Sequence, residues 1–153
     1  MKKIFFMLIA AFSLSFFSAQ VQNEKGLYID SDGELFSGVI ETTHNNVKAD
    51  LTVKEGQISG EAIYYFASGA KMEIGTFTNG QRDQKWTRYN ENGNVSAIAF
   101  YNMGKKTGTW LVYDDKGNKR FEMNYNDGDK TGTWTTWDEA GSIASTKDYS
   151  KVN

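Results

Sequence analysis

Cysteine and proline are absent from the 153 residues, and histidine occurs once, as His44. Without cysteine there is no disulfide framework, no thiolate metal site and no lipid anchor on a mature N-terminal cysteine. Without proline, the turns fall to Gly, Asn and Asp, which tolerate positive φ. Net charge is small as well, with 17 Lys and Arg against 19 Asp and Glu. A basic footprint for nucleic acid or an anionic membrane is therefore missing.

The only long apolar run is at the start, in "MKKIFFMLIAAFSLSFFSAQ". Lys2 and Lys3 form a basic n-region, and Ile4–Phe17 is apolar apart from Ser13 and Ser15. That is short of the roughly 20 residues a bilayer span needs. The pattern predicts a secretory signal peptide over residues 1–19, cut after Ala19, with Phe17 at −3 a departure from the small-residue rule. The alternative is an N-terminal anchor that is never cleaved. Cleavage removes two lysines and no acid, which moves the formal charge from −2 to −4. The expected location is periplasmic or secreted. About 130 mature residues make one domain with a modest core.

The rest of the chain repeats. "KTGTW" occurs at Lys106–Trp110 and again at Lys130–Trp134. One glycine series is Gly69, Gly93, Gly117 and Gly141; a second is Gly56, Gly80, Gly104 and Gly128. A third is Gly60, Gly108 and Gly132, with Gln84 where a glycine is expected. The aromatics keep the same 24-residue beat as Trp86, Trp110, Trp134, then Tyr65, Tyr89, Tyr113, Trp137, then Phe77, Tyr101, Tyr125, Tyr149. A fixed period of this size marks a repeat architecture. Runs such as "TWLVY" and "KRFEMNY" between Gly/Asn/Asp clusters read as strands, and Asn79-Gly80 and Asp127-Gly128 as type I′ turns. The predicted fold is all-β, an extended single-layer antiparallel meander of about five hairpins with a 24-residue period. Residues 20–59 read as divergent N-terminal hairpins, including one over Gly26–Ser37. Residues 60–149 are the regular repeats and 150–153 a tail. A long exposed edge at Asp148–Asn153 or at the first hairpin would invite pairing with a second copy.

A register follows from the turns. A two-residue turn at Asp127-Gly128 sets Phe121 opposite Trp134, and a four-residue loop over Asp114–Gly117 sets it opposite Trp110. The row is then Trp86, Ala97, Trp110, Phe121, Trp134, Ser145. Val95, Val112, Met123, Ile143, Tyr101, Tyr125 and Tyr149 share its face, and Thr87, Tyr89, Ser96, Tyr113, Arg120, Glu122, Asn124 and Thr135 take the other. The tryptophans read first as core, with an exposed binding strip as the alternative. Tyr89, Tyr113, Trp137, Trp86, Trp110 and Trp134 are the candidate partner-binding aromatics.

Residues for catalysis are few. His44 sits at a hairpin tip with no serine or acid tied to it by spacing. Glu73, Glu91, Glu122 and Glu139 do not recur at one repeat position, so no carboxylate pair is indicated. "DSDGE" (Asp30–Glu34) resembles half of a calcium loop. The twelve-residue ligand pattern is missing, however, and Asp and Asn are what tight turns need. No zinc cluster or phosphate-binding glycine loop is indicated. No enzyme activity, metal or cofactor is expected.

The pattern G-x-W-x-x-Y-x-x-x-G, followed by a strand ending in an aromatic and then N-G, resembles the bacterial variant of the MORN repeat. Gly108–Trp134 and Gln84–Gly108 carry it best; Gly60–Tyr149 fit well and Gly26–Ser59 loosely. The resemblance implies an elongated sheet of MORN-like hairpins used as an interaction scaffold, similar to the YwqK-type antitoxins of toxin–antitoxin systems. Such a protein would occlude a toxin by surface complementarity. A signal peptide puts a cytoplasmic toxin out of reach, so an immunity role would need an exported partner. The link of eukaryotic MORN proteins to phospholipid depends on basic residues and does not transfer to an acidic chain. A protein partner is expected, with a carbohydrate or cell-wall module using the aromatic strip as the alternative.

Overall fold

The computed structural model describes residues 21–150. The expected signal peptide, 1–19, and residues 151–153 lie outside the described residues. The strands are β1 (Val21–Gln22), β2 (Tyr28–Ile29), β3 (Gly38–His44), β4 (Val47–Lys54), β5 (Gln57–Tyr65) and β6 (Lys71–Thr78). They continue as β7 (Gln81–Tyr89), β8 (Val95–Asn102), β9 (Lys105–Tyr113), β10 (Lys119–Asn126), β11 (Asp129–Trp137) and β12 (Ile143–Asp148). β3 to β12 form one open antiparallel sheet in chain order, as expected of a meander. The period is visible in the strand starts. β5, β7, β9 and β11 begin at Gln57, Gln81, Lys105 and Asp129, and β4, β6, β8, β10 and β12 at Val47, Lys71, Val95, Lys119 and Ile143, every step being 24 residues.

Three local devices build each hairpin. At one end is a two-residue turn with positive φ at both positions: Glu55-Gly56, Asn79-Gly80, Met103-Gly104 and Asp127-Gly128. That is the type I′ geometry, whose twist matches the flanking strands. The glycine N–H of the last three bonds the carbonyl of Ile58, Arg82 or Lys106, which ties each tip to the preceding hairpin. At the other end, Asn90 and Asp114 open five-residue loops. The Oδ1 of Asn90 accepts the N–H groups of Asn92 and Asn94, and that of Asp114 those of Lys116 and Asn118.

The third device is a wide bulge. In β5, β7, β9 and β11 three residues face one on the preceding strand, so Gly108, Thr109 and Trp110 stand against Ala99. The positive-φ residues there are Gly60, Gln84, Gly108 and Gly132. Gln84 has φ 60°, close to the 63° of Gly108. A side chain in that region costs roughly 1–2 kcal/mol, and a glycine costs about 0.5–1 kcal/mol of backbone entropy. Gln84→Gly is therefore expected to raise stability by up to about 1 kcal/mol, read as a higher urea midpoint.

The bulges correct the expected register. Phe121 lies opposite Val112 and Thr136, not Trp110 and Trp134. The five-residue loop and the extra Arg120 shift the β9–β10 pairing by two, and Gly132 and Thr133 shift the β10–β11 pairing by two. A slip of two keeps the face, so the row across the strands is Trp86, Ala99, Trp110, Met123, Trp134, Lys147, without Ala97, Phe121 or Ser145. One-residue bulges at Ser96 and Ala144 instead reverse the face of what precedes them. Val95 pairs with Tyr89 and Ile143 with Trp137, so both lie on the second face, not with the tryptophans.

The core occupies the N-terminal part of the tryptophan face. Ile40, Ala49, Leu51, Val53, Ala62 and Trp86 are buried, with Tyr28, Phe36, Phe77 and Tyr101 packed against them. The expected Gly26–Ser37 hairpin is reduced to a turn at Asp30–Gly33 and a single Ile29–Leu35 bridge, while Tyr28 and Ile29 pair with β1. Tyr28 N–H bonds Gly56 O and Gly56 N–H bonds Phe36 O, which fastens this segment to the β4–β5 turn.

Candidate functional site

The bulge explains the pentapeptide. Its glycine supplies the positive φ, and the tryptophan then crosses the opened ladder. Trp110 Nε1–H donates to Phe100 O at 3.0 Å, Trp134 to Asn124 O at 3.0 Å and Trp86 to Thr76 O at 3.2 Å. Rings alternate along the sheet at centroid distances of 5.1 Å for Tyr101–Trp110, 5.0 Å for Trp110–Tyr125, 5.2 Å for Tyr125–Trp134 and 4.8 Å for Trp134–Tyr149. The first residue of the motif is a cation over its own indole. Arg82 lies 3.9 Å from Trp86, Lys106 4.6 Å from Trp110 and Lys130 4.6 Å from Trp134. Such contacts are worth about 0.5–2 kcal/mol each, depending on burial.

The two ends of this ladder differ. Trp86 is 1 % exposed. Arg82 covers it and is held by a two-point ion pair to Glu73, at 2.8 and 3.2 Å. Trp110 and Trp134 are half-buried, and Phe121 on the same face is 44 % exposed. Trp86 thus has the core role read first from the sequence, while Trp110 and Trp134 present part of their surface.

The second face carries Tyr89, Tyr113 and Trp137, all half-buried. Tyr89 and Ile74 line a pocket of about 400 Å³ with Ala70, Lys71, Asn92 and Gly93. The corresponding residues 24 positions on, Tyr113 and Ile98 with Asn94, Val95, Lys116 and Gly117, line one of about 420 Å³. Lys119 Nζ sits 4.2 Å over Trp137 in the next unit. Ile74 and Ile98 were absent from the sequence reading, although they are 24 apart. The signal was there, but the aromatic series masked it. The same holds for the cation series Arg82, Lys106, Lys130.

His44 is exposed beside the Asn45-Asn46 turn. Glu73 is committed to Arg82, and Glu122 pairs with Lys119 at 2.7 Å. Tyr65 donates to Asp50 Oδ2 at 2.6 Å, which, with burial, pushes its hydroxyl up to about 12. In "DSDGE", Asp30 Oδ1 serves the turn by accepting the Asp32 and Glu34 amides.

Asp83 ties neighbouring hairpins together, Asp114 closes its own loop, and the two set an acid limit. The Met103 amide and the Thr78 hydroxyl hold the Asp83 carboxyl below its ordinary range. Burial would push Asp114 up, but the Asn118 and Lys116 hydrogen bonds and Arg120 outweigh it and lower it. A carboxylate whose pKa falls on folding stabilises above its ordinary value and loses that contribution as pH drops through the folded one. The thermal midpoint is expected to stay flat down to about pH 4 and fall below it. Asp83→Asn should flatten that decline.

Residues 85–103 and 106–127 each match the family model for the MORN repeat variant. No curated protein sequence matches the chain. A solved structure described as accessory secretory protein 1, 2 and 3 in Streptococcus pneumoniae shows a distant likeness, with 18% identity and a TM-score of 0.38. The likeness covers 80% of this chain and 22% of that one. With two matched segments that each run through a strand, a loop and the next strand, and the same 24-residue hairpin on either side of them, the chain carries MORN-type repeats.

Proposed function

We propose that the chain is an exported, non-enzymatic scaffold that binds a protein partner through its repeat surface, in the manner of an antitoxin or immunity protein acting by occlusion. The observation that carries this reading is the recurrence of one aromatic-lined pocket, beside Tyr89 and again beside Tyr113. Equivalent sites two strands apart, about 10 Å, suit a partner that is gripped at several points. Tyrosines flanked by apolar side chains are also what anchors a protein interface. Of the glutamates an enzyme would draw on, Glu73 and Glu122 are engaged in ion pairs, while Glu91 lines the pocket beside Tyr89.

A carbohydrate or cell-wall module is the second reading, because the same tyrosine faces beside Asn92 and Asn94 could stack a sugar ring. Affinity capture with the chain from Gln20, out of envelope and secreted fractions, separates the two. A single stoichiometric protein, lost with Tyr89→Ala/Tyr113→Ala, is the expected result. Retention on cell-wall polysaccharide with no enriched protein would overturn the first reading in favour of the second.

A further inference from the structure

The tryptophan face has a charge pattern opposite to that of the chain. From β8 to β12 its paired positions hold Tyr101, Lys106, Trp110, Val112, Phe121, Met123, Tyr125, Lys130, Trp134 and Lys147, and no carboxylate. Glu122, Asp129 and Asp148 fall on the second face by the same pairing, and Asp129 meets Lys130 only at the rim of an open pocket by the β10–β11 turn. Asp127 lies at the turn, where Lys105 takes it at 2.7 Å. Lys106 lies between Trp110 and Tyr125, and Lys130 between Trp134 and Tyr149. Lys147 is 5.0 Å from Tyr149. None of the three forms an ion pair among the described residues, whereas Arg82, the counterpart of Lys106 one repeat earlier, has Glu73.

We propose that this face is a docking surface for an extended acidic segment of a partner protein, lying across the strands with carboxylates over Lys106 and Lys130. Charge complementarity names the occupant, and geometry sets its spacing. The two lysines are on β9 and β11, about 10 Å apart at ordinary strand spacing. A polyproline II segment returns to the same side every three residues, about 9 Å. Glutamate or aspartate at every third position therefore reaches both. Intervening apolar side chains meet the half-buried rings of Tyr125 and Trp134 beside the lysines. A short segment feels the local row, since charges beyond about 8 Å are screened. A membrane plane or a long polyanion would also meet the acids of the loops and the second face.

The test uses a fluorescent peptide with Glu at every third residue and Leu between, its Gln counterpart, a polyuronate and anionic vesicles. Saturable, salt-sensitive binding of the Glu peptide is expected, at least tenfold tighter than that of the Gln peptide. Lys106→Gln/Lys130→Gln should weaken it at least tenfold. Lys54→Gln/Lys85→Gln, exposed on the second face and outside its pockets, should leave it unchanged. Glutamine keeps the stem over the indole, and circular dichroism checks the fold. If the double variant fails to fold, Lys130→Gln alone, at an exposed side chain, should cost at least threefold. Absence of saturable peptide binding, equal affinity in the lysine variants, or binding of the polyuronate or vesicles alone would each overturn the proposal. The assay is independent of the tyrosine pockets, so its failure leaves the scaffold reading to the capture experiment.

Discussion

Replacing Trp86 with alanine is expected to lower the unfolding free energy by about 3–5 kcal/mol. That is a large share of the roughly 5–15 kcal/mol a domain has. The indole is 1 % exposed and touches Phe77 at 5.1 Å, Tyr64 at 6.2 Å and Tyr101 at 6.4 Å. Its loss opens a cavity in the buried cluster, strands Arg82 and leaves Thr76 O without its indole donor. Trp134→Ala removes the same chemistry from a half-buried site, where part of the ring already faces water. About half the cost is expected there, with Trp110→Ala between. Urea titration followed by circular dichroism measures all three. Equal costs at Trp86 and Trp134 would mean that stacking along the ladder, not burial, sets the stability.

Gly75→Ala should cost about 3 kcal/mol, at the upper end of ordinary overpacking. The added Cβ would stand 2.0 Å from Trp86 Cδ2 and 2.3 Å from Cε2. Neither the buried indole nor the strand backbone can yield that distance cheaply. Gly93→Ala is the control. Its Cβ meets nothing within 4 Å but its φ is 82°, so it pays only the left-handed backbone cost of roughly 1–2 kcal/mol. Pairing Gly75→Ala with Trp86→Phe, a smaller ring, should recover part of the loss, because the two positions share one contact. Simple additivity would contradict the steric origin.

The fold was legible because its determinants are local. Positive-φ turns at Asn79-Gly80 and Asp127-Gly128 follow from which residues tolerate that backbone, and alternating runs between them can only be strands of a meander. The aromatic rows were legible for the same reason, each being a series at one spacing. Register was not. The bulge glycines were counted as part of the period, yet nothing in their spacing says that they insert residues. A face can survive a slip of two, as Phe121 does, and reverse with a slip of one, as at Val95 and Ile143. Candidate site residues divide along the same line. Tyr89 and Tyr113 are legible as aromatics, while Ile74 and Ile98 come to them from neighbouring strands, and Lys106 and Lys130 reach the indoles four residues on in their own strands only because the bulge shortens that distance.

By itself, then, the sequence determined the period, the hairpin and the chain-order sheet, since these depend on backbone preferences within a few residues. Only the tertiary structure decided which of three equivalent tryptophans is core. Trp86 is sealed by Gly75 beneath it, Arg82 and Glu73 above it, and the N-terminal segment packed on the same cluster. Trp110 and Trp134 stand over Ala99 and Met123 between flanking tyrosines, under lysines that, unlike Arg82, form no ion pair among the described residues. Equivalent positions of the repeat are buried differently because burial depends on side chains brought from neighbouring strands, which the 24-residue repeat does not hold constant.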